Sequence, residues 1–149
     1  MLGCVRHSKH QSQAGRSLRA AGLRVTDPRV AVLDYLALSP HSTVDTIASA
    51  VREELGSVST QAIYDVVSAC VNASIVRRFA PPGAAARYEL RTEHDHHHAI
   101  CRTCGAVSDV DYATPASLRI ETPDIGGFEV DETEIVFWGT CADCRPTSL

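Results

Sequence analysis

Apolar residues in the first half of the chain recur at helical spacing, and those in the last third alternate as in strands. The pattern predicts a helix over about 12–22, which ends before the loop GLRVTDP. A second helix starts at Thr26 as N-cap, with Asp27 in its first turn and Pro28 where proline is tolerated. Val30, Leu33, Tyr35, Leu36 and Leu38 form its apolar face, and Pro40 stops it. A third helix begins near Thr43, with Val44, Ile47, Ala48, Val51 and Leu55 on one side, and Gly56 closes it. After the short turn GSVS, Ser59 caps a fourth helix carrying Ile63, Val66, Val67, Cys70 and Val71. Residues 75–80 (IVRRFA) and 86–90 (ARYEL) are β-rich runs around PPGA and predict a hairpin.

Packed helices, a tight turn, a further helix and a two-stranded wing describe a winged helix-turn-helix, a module whose helix after the turn enters the DNA major groove. Beyond residue 91 the strand-like runs are HHAIC, AVSDVDY and FEVDETEIVFWGTC. The stretch ATPASLRIETPDIGG holds too much Pro and Gly for more than one helical turn, at 117–120. The expected class is α+β: a disordered tail at 1–11, a winged helix-turn-helix at 12–91, a polar hinge at 92–96, and a small β-rich domain at 97–149.

Charge divides along the same line. Residues 1–90 carry ten basic against seven acidic side chains, and residues 91–149 carry four against eleven. The first half therefore suits an anionic partner and the second suits cations, although solvated surface explains such a bias equally well. No run is long and apolar enough to span a bilayer, and the first residues have no apolar core of a secretory signal. A cytoplasmic protein is expected, and in a reducing compartment paired CxxC motifs favour metal over disulfides.

Those pairs are Cys101/Cys104 and Cys141/Cys144. Each CxxC lets a tight turn aim two sulfurs at one ion, and a hairpin-like return of the chain brings the second pair opposite. Four thiolates make a closed tetrahedral zinc site of the structural kind. Cys70 reads as an ordinary buried residue, and Cys4 lies in the tail. His96 and His98, two apart in a strand, share a face, with His97 on the other. Further ligands must come from elsewhere. His41, in the loop between the second and third helices, Glu89 in the wing and Asp109 complete a nitrogen–oxygen set suited to Fe(II), Mn(II) or Zn(II). Taken singly, each of these three is unremarkable surface.

In the order GLRVTDPRVAVLDYL, SPHSTVDTI, VSTQAIYDVVSACVNASIVRRF, ARYEL, HDHHHAICRTCG and WGTCADC, nearly the whole chain after the tail resembles the ferric uptake regulator family of metal-dependent transcription factors. The resemblance implies a homodimer with a winged-helix DNA-binding domain and a dimerisation domain, bound to a two-fold, AT-rich operator. It implies structural zinc at Cys101, Cys104, Cys141 and Cys144, and a regulatory metal at His41, Glu89, His96, His98 and Asp109. It places Tyr64 on bases and Arg24 at the backbone or minor groove, with Ser59, Thr60 and Gln61 beside Tyr64 at the start of the reading helix. Asp65 stands where many members have Arg or Asn, and Ser74 replaces a usual glycine. A histidine near Thr133 that some members use for a further site is absent, which leaves only Asp95 and His97 there.

Within the family, AIYDVV, ARYELR, the DVD segment and GFEVDETEIVFWG most resemble the FurA-type, peroxide-responsive repressors of a catalase-peroxidase. An Fe(II) or Mn(II) site fits that branch. A zinc-responsive regulator often recruits a cysteine to its sensing site, and a nickel sensor wants a histidine near Glu89, for which His94 or His97 is available. A zinc hydrolase or deaminase would need an open coordination position, which a four-cysteine site lacks, and the H-x-E with P-C-x-x-C pattern is missing. No enzyme, no small-molecule substrate and no membrane association are therefore expected. A switch in which the cysteines release zinc and form disulfides is the serious rival for the sensing step.

Overall fold

A computed structural model of the chain describes residues 12–92, 96–111, 126–129 and 134–146. The expected tail at 1–11, part of the hinge, His94, Asp95 and the 117–120 turn lie outside them. The chain forms two compact units, Met1–Arg91 and Thr92–Leu149. No helix among the described residues is long and apolar enough to cross a membrane.

In the first unit four helices precede a hairpin: α1 (Gln13–Ala20), α2 (Asp27–Leu38), α3 (Val44–Leu55), α4 (Thr60–Asn72), β1 (Val76–Phe79) and β2 (Arg87–Leu90). Caps set the helix starts. The hydroxyls of Ser12, Thr43 and Ser59 each accept from the backbone N–H three residues on. Thr26 occupies the N-cap position of α2, but its side chain makes no capping bond. Leu18, Val30, Val32, Leu36, Ile47, Val51, Ile63, Val67 and Cys70 fill one core. Leu38, expected on the apolar face of α2, is 86% exposed, while Ala31 and Val32 are buried in its place. Leu38 is the last residue of α2 and shares the face of buried Ala31 seven residues earlier, so its exposure comes from its place at the helix end rather than from its face.

β1 and β2 pair antiparallel, with Val76 opposite Leu90 and Arg77 opposite Glu89. Ser74, just after α4, adopts a left-handed φ of 57°. A side chain there costs about 1–2 kcal/mol relative to glycine, because Cβ crowds the following carbonyl oxygen. The glycine that this position usually holds in the resembling family is thereby explained.

In the second unit β3 (His96–Cys101) lies between β4 (Val107–Asp111) and β5 (Val136–Gly139). β3 pairs antiparallel with β4 and parallel with β5. The parallel pairing corrects the expected hairpin-like return and has a direct consequence for the cysteines. Parallel strands finish at the same end of a sheet. Cys101, the last residue of β3, sits opposite Gly139, the last of β5, so residues 102–104 and 140–144 leave side by side. A short 3-10 turn, Ala142–Cys144, is the last regular element among the described residues. Helices followed by strands give the α+β class that the pattern predicts.

Candidate functional site

The cysteine site is built by two turns at the shared end of β3 and β5. After Cys101 the chain reverses tightly. The Gly105 N–H donates to the Cys101 carbonyl at 2.9 Å, the Cys101 N–H donates to Ala106 at 2.9 Å, and Gly105 takes a φ of 72° that glycine adopts without strain. The Arg102 N–H donates to the Gly139 carbonyl at 2.8 Å and clamps this turn to β5. On the other side Cys144 N–H donates to the Cys141 carbonyl at 3.1 Å. One sulfur from each of Cys101, Cys104, Cys141 and Cys144 lies within 4.8 Å of the others. The Cys104 and Cys141 sulfurs are 3.7 Å apart.

The donor chemistry fits a thiophilic dication. The Cys141 backbone N–H, 3.4 Å from the Cys101 sulfur, and then that of Cys104 hold the Cys101 thiol down to about 5. Cys144 is pushed up to about 12, first by the Cys141 sulfur and then by the Cys104 sulfur. At neutral pH one member of the cluster is already a thiolate while another keeps its proton. A dication that binds all four sulfurs must displace that proton. Zinc titrated into the reduced, metal-free protein in weak buffer is therefore expected to release protons, and its apparent affinity is expected to fall as pH is lowered. A titration with no proton release would contradict a four-thiolate site.

The nitrogen and oxygen donors lie in two groups, one per unit. In the first unit His41 Nε2 is 3.1 Å from Glu89 Oε2, and Glu89 is only 3% exposed. Two features hold them there. His41 has a left-handed φ of 60°, and the next residue, Ser42, exchanges backbone hydrogen bonds with Tyr88 at 3.2 and 2.9 Å. Arg87 Nη1 also donates to the His41 carbonyl at 3.1 Å, and the imidazole meets the Phe79 ring edge-on at 5.9 Å. A non-glycine residue held at positive φ by its surroundings marks a position where orientation matters more than local comfort.

In the second unit the strand register does the work. His98 faces Asp109 directly across the β3–β4 ladder, so both side chains leave the same face, and His96 reaches Asp109 along the diagonal. Asp109 Oδ1 lies 3.6 Å from His96 Nε2 and 3.8 Å from His98 Nε2. The two imidazoles meet at right angles with centroids 5.0 Å apart. His97 points to the other face, against Phe137 at 6.0 Å, as the alternation predicts. Three hard or borderline donors therefore converge on one face of this sheet.

Helix α4, the expected reading helix, exposes Gln61, Tyr64, Asp65 and Ser68 and its N-cap Ser59, and it buries Ile63, Val67 and Cys70. Arg52 on α3 spans the turn before it. Its Nε donates to the Val58 carbonyl at 2.9 Å, and its guanidinium bonds the Thr60 hydroxyl. Thr60 is thereby tied to α3, and Ser59 Oγ is engaged by the Ala62 N–H at 3.1 Å. Gln61 and Tyr64 retain outward-facing side chains. Arg24 is exposed in the loop before α2, where its carbonyl accepts from Arg29 at 2.8 Å. Arg52 was missed in the sequence, because only the three-dimensional turn brings residue 52 to residues 58 and 60.

Residues 20–138 match the model of the Ferric uptake regulator family. The transcriptional regulator FurA of Mycobacterium tuberculosis is 48% identical over 127 residues, which cover 85% of this chain and 86% of that protein. The peroxide-responsive repressor PerR of Staphylococcus aureus is 30% identical over 142 residues, covering 95% and 94%. Among solved structures, that of the ferric uptake regulator from Pseudomonas aeruginosa with manganese superposes with a TM-score of 0.67 at 26% identity, covering 88% of this chain and 99% of that one. With two clustered donor sets, a helix-turn-helix with its wing, and a match over most of its length, the chain belongs to the ferric uptake regulator family.

Proposed function

We propose that this protein is a homodimeric, metal-dependent repressor that binds a two-fold DNA operator through α4. Structural zinc is held by Cys101, Cys104, Cys141 and Cys144. A regulatory Fe(II) or Mn(II) is held by His41, Glu89, His96, His98 and Asp109. The observation that carries the reading is the pairing of a soft four-sulfur cluster with two incomplete nitrogen–oxygen groups of two and three donors. Neither group alone satisfies a six-coordinate dication, whereas five donors leave at most one position to water. Donors drawn from both units make ion binding favour one relative orientation of the units. The preference is only as large as the difference in affinity between orientations.

His41 acts from the loop between α2 and α3 and Glu89 from the wing strand β2, both in the unit that carries α4, so orienting them orients α4. Glu89, buried beside His41, needs a positive neighbour, and its carboxylate would be the anionic anchor of the first group. His41, His96 and His98 would hold Fe(II) there with Glu89 and Asp109; such an ion would supply one-electron reduction of hydrogen peroxide, and these imidazoles would be the oxidisable side chains beside it. The peroxide branch rests on the similarity to FurA and PerR. Its targets on this reading are catalase-peroxidase or iron genes, its role is that of a cytoplasmic regulator rather than an enzyme, and zinc- or nickel-responsive control of uptake is the alternative within the family.

A second reading has its own observation. With a thiolate at Cys101 and the Cys104 and Cys141 sulfurs 3.7 Å apart, hydrogen peroxide could take two electrons from two thiols. A disulfide and two waters would result, with release of zinc. One series separates the readings. Operator binding is measured with Fe(II), Mn(II), Zn(II) and Ni(II) in turn and again after peroxide, with zinc and thiols counted at each stage. Loss of binding with zinc retained and a histidine oxidised supports the Fe(II) site. Loss of zinc with loss of thiols supports the cysteine switch.

A further inference from the structure

Gln61, Tyr64, Asp65 and Ser68 fall at i, i+3, i+4 and i+7 of α4, so they form one stripe opposite the buried Ile63, Val67 and Cys70. The stripe carries no cation. Arginines that can meet phosphates lie on other elements: Arg16 and Arg19 on α1, Arg24 in the following loop, and Arg78 on the wing, all exposed. Phosphate attraction and base reading are thus assigned to different parts of the module.

Within the stripe, Gln61 Nε2 donates to Asp65 Oδ1 at 2.9 Å. A carboxylate only accepts, so the contact settles which end of the Gln61 amide faces Asp65. One N–H of Gln61 remains together with the whole of its Oε1. A donor beside an acceptor complements the major-groove edge of adenine, whose N7 accepts and whose N6 amino group donates. Asp65 keeps Oδ2, an acceptor that suits only an amino group. Guanine presents two acceptors, O6 and N7, on the same edge and would face the carboxylate unfavourably.

We propose that Gln61 and Asp65 form a base-selecting pair, in which Gln61 reads adenine and Asp65 is a positioning residue that fixes its amide and excludes guanine. The proposal rests on α4 entering the major groove. It also gives Asp65 a role where an arginine or asparagine would have made a general DNA contact. The cost in phosphate attraction is offset by selectivity, since a well-placed bidentate contact discriminates against the wrong base by about tenfold to a hundredfold.

The test uses the full-length, zinc- and manganese-loaded protein and a randomised duplex library. Bound sequences are compared for wild type, Gln61→Ala, Asp65→Asn, Asp65→Ala and Tyr64→Ala, with helix content and zinc stoichiometry confirming the fold. Gln61→Ala should lose adenine preference at one position of each half-site by about tenfold or more. Asp65→Ala should weaken the same preference. Asp65→Asn, which still accepts from Gln61 but has no charge, should keep adenine while admitting guanine. A bound motif changed by Tyr64→Ala but by none of the Gln61 and Asp65 variants would overturn the pair while leaving the groove assignment standing. A motif unchanged by all four would remove α4 from the groove, and the pair with it.

Discussion

Replacing His96 or Asp109 by alanine is expected to leave a folded, zinc-containing dimer that no longer gains operator affinity when metal is added. Asp109 Oδ1 stands between the two imidazoles at 3.6 and 3.8 Å, so either change leaves two donors in the second unit where there were three. Coupling between a ligand and a distant binding surface is typically worth about 5- to 150-fold, and that factor should vanish from the operator constant. Stability should change little in Asp109→Ala, because Asp109 is 45% exposed and a surface substitution away from the core usually shifts folding by about 0.5 kcal/mol or less. Operator titrations with and without Mn(II), alongside zinc analysis, check both parts. Retained metal dependence in both variants would contradict the ligand assignment.

The second large effect concerns zinc. Among the described residues of the second unit, the buried hydrophobic side chains are Ile100 and Cys101, whereas the first unit holds a continuous core. Burial of one such side chain contributes about 1.5–3 kcal/mol. A closed zinc site in a small domain contributes an apparent free energy of about 10–16 kcal/mol at neutral pH. On the proposed reading, zinc at the four cysteines would contribute more than the apolar burial among the described residues of this unit. Chelation under reducing conditions, or Cys101→Ser, should unfold the sheet of β3, β4 and β5 while the first unit keeps its helices. Amide exchange resolved along the chain measures this directly: protection at 97–101 and 107–110 should collapse, and protection in α2 and α4 should persist. Unchanged protection after zinc removal would show that the cysteines do not hold the fold.

Helix boundaries were legible in the sequence because capping is local. Thr43 and Ser59 each bond a backbone N–H three residues on, and both signals sit in a few consecutive letters. The clustering of the four cysteines was legible for the same reason, since each C-x-x-C is a complete turn. What the sequence did not reveal depends on pairing across distance. The parallel partnership of β3 and β5 links residues nearly forty apart, and no local pattern separates it from a hairpin return. The exposure of Leu38 depends on where the last turn of α2 ends relative to the core. The capture of Thr60 by Arg52 needs the turn geometry between α3 and α4. Alternation alone predicted the shared face of His96 and His98. The register that places Asp109 opposite His98 became visible only in the folded sheet.

His41 is the residue where local strain and proposed chemistry meet. Its left-handed backbone is maintained by the Ser42–Tyr88 bridge and by Arg87, so the imidazole is presented to Glu89 at a defined angle. Preorganisation of this kind lowers the ordering cost of binding. It also makes the first group sensitive to the conformation of the wing.

The central claim is that one ion takes donors from both units. Mn(II) titrated anaerobically into the zinc-loaded wild type, His41→Ala, His96→Ala and the double variant tests it most directly. A shared ion predicts a single regulatory site per chain, weakened by either replacement and weakened further or abolished in the double variant. Two regulatory Mn(II) per chain, or full Mn(II) affinity in His41→Ala, would mean that the groups do not share an ion.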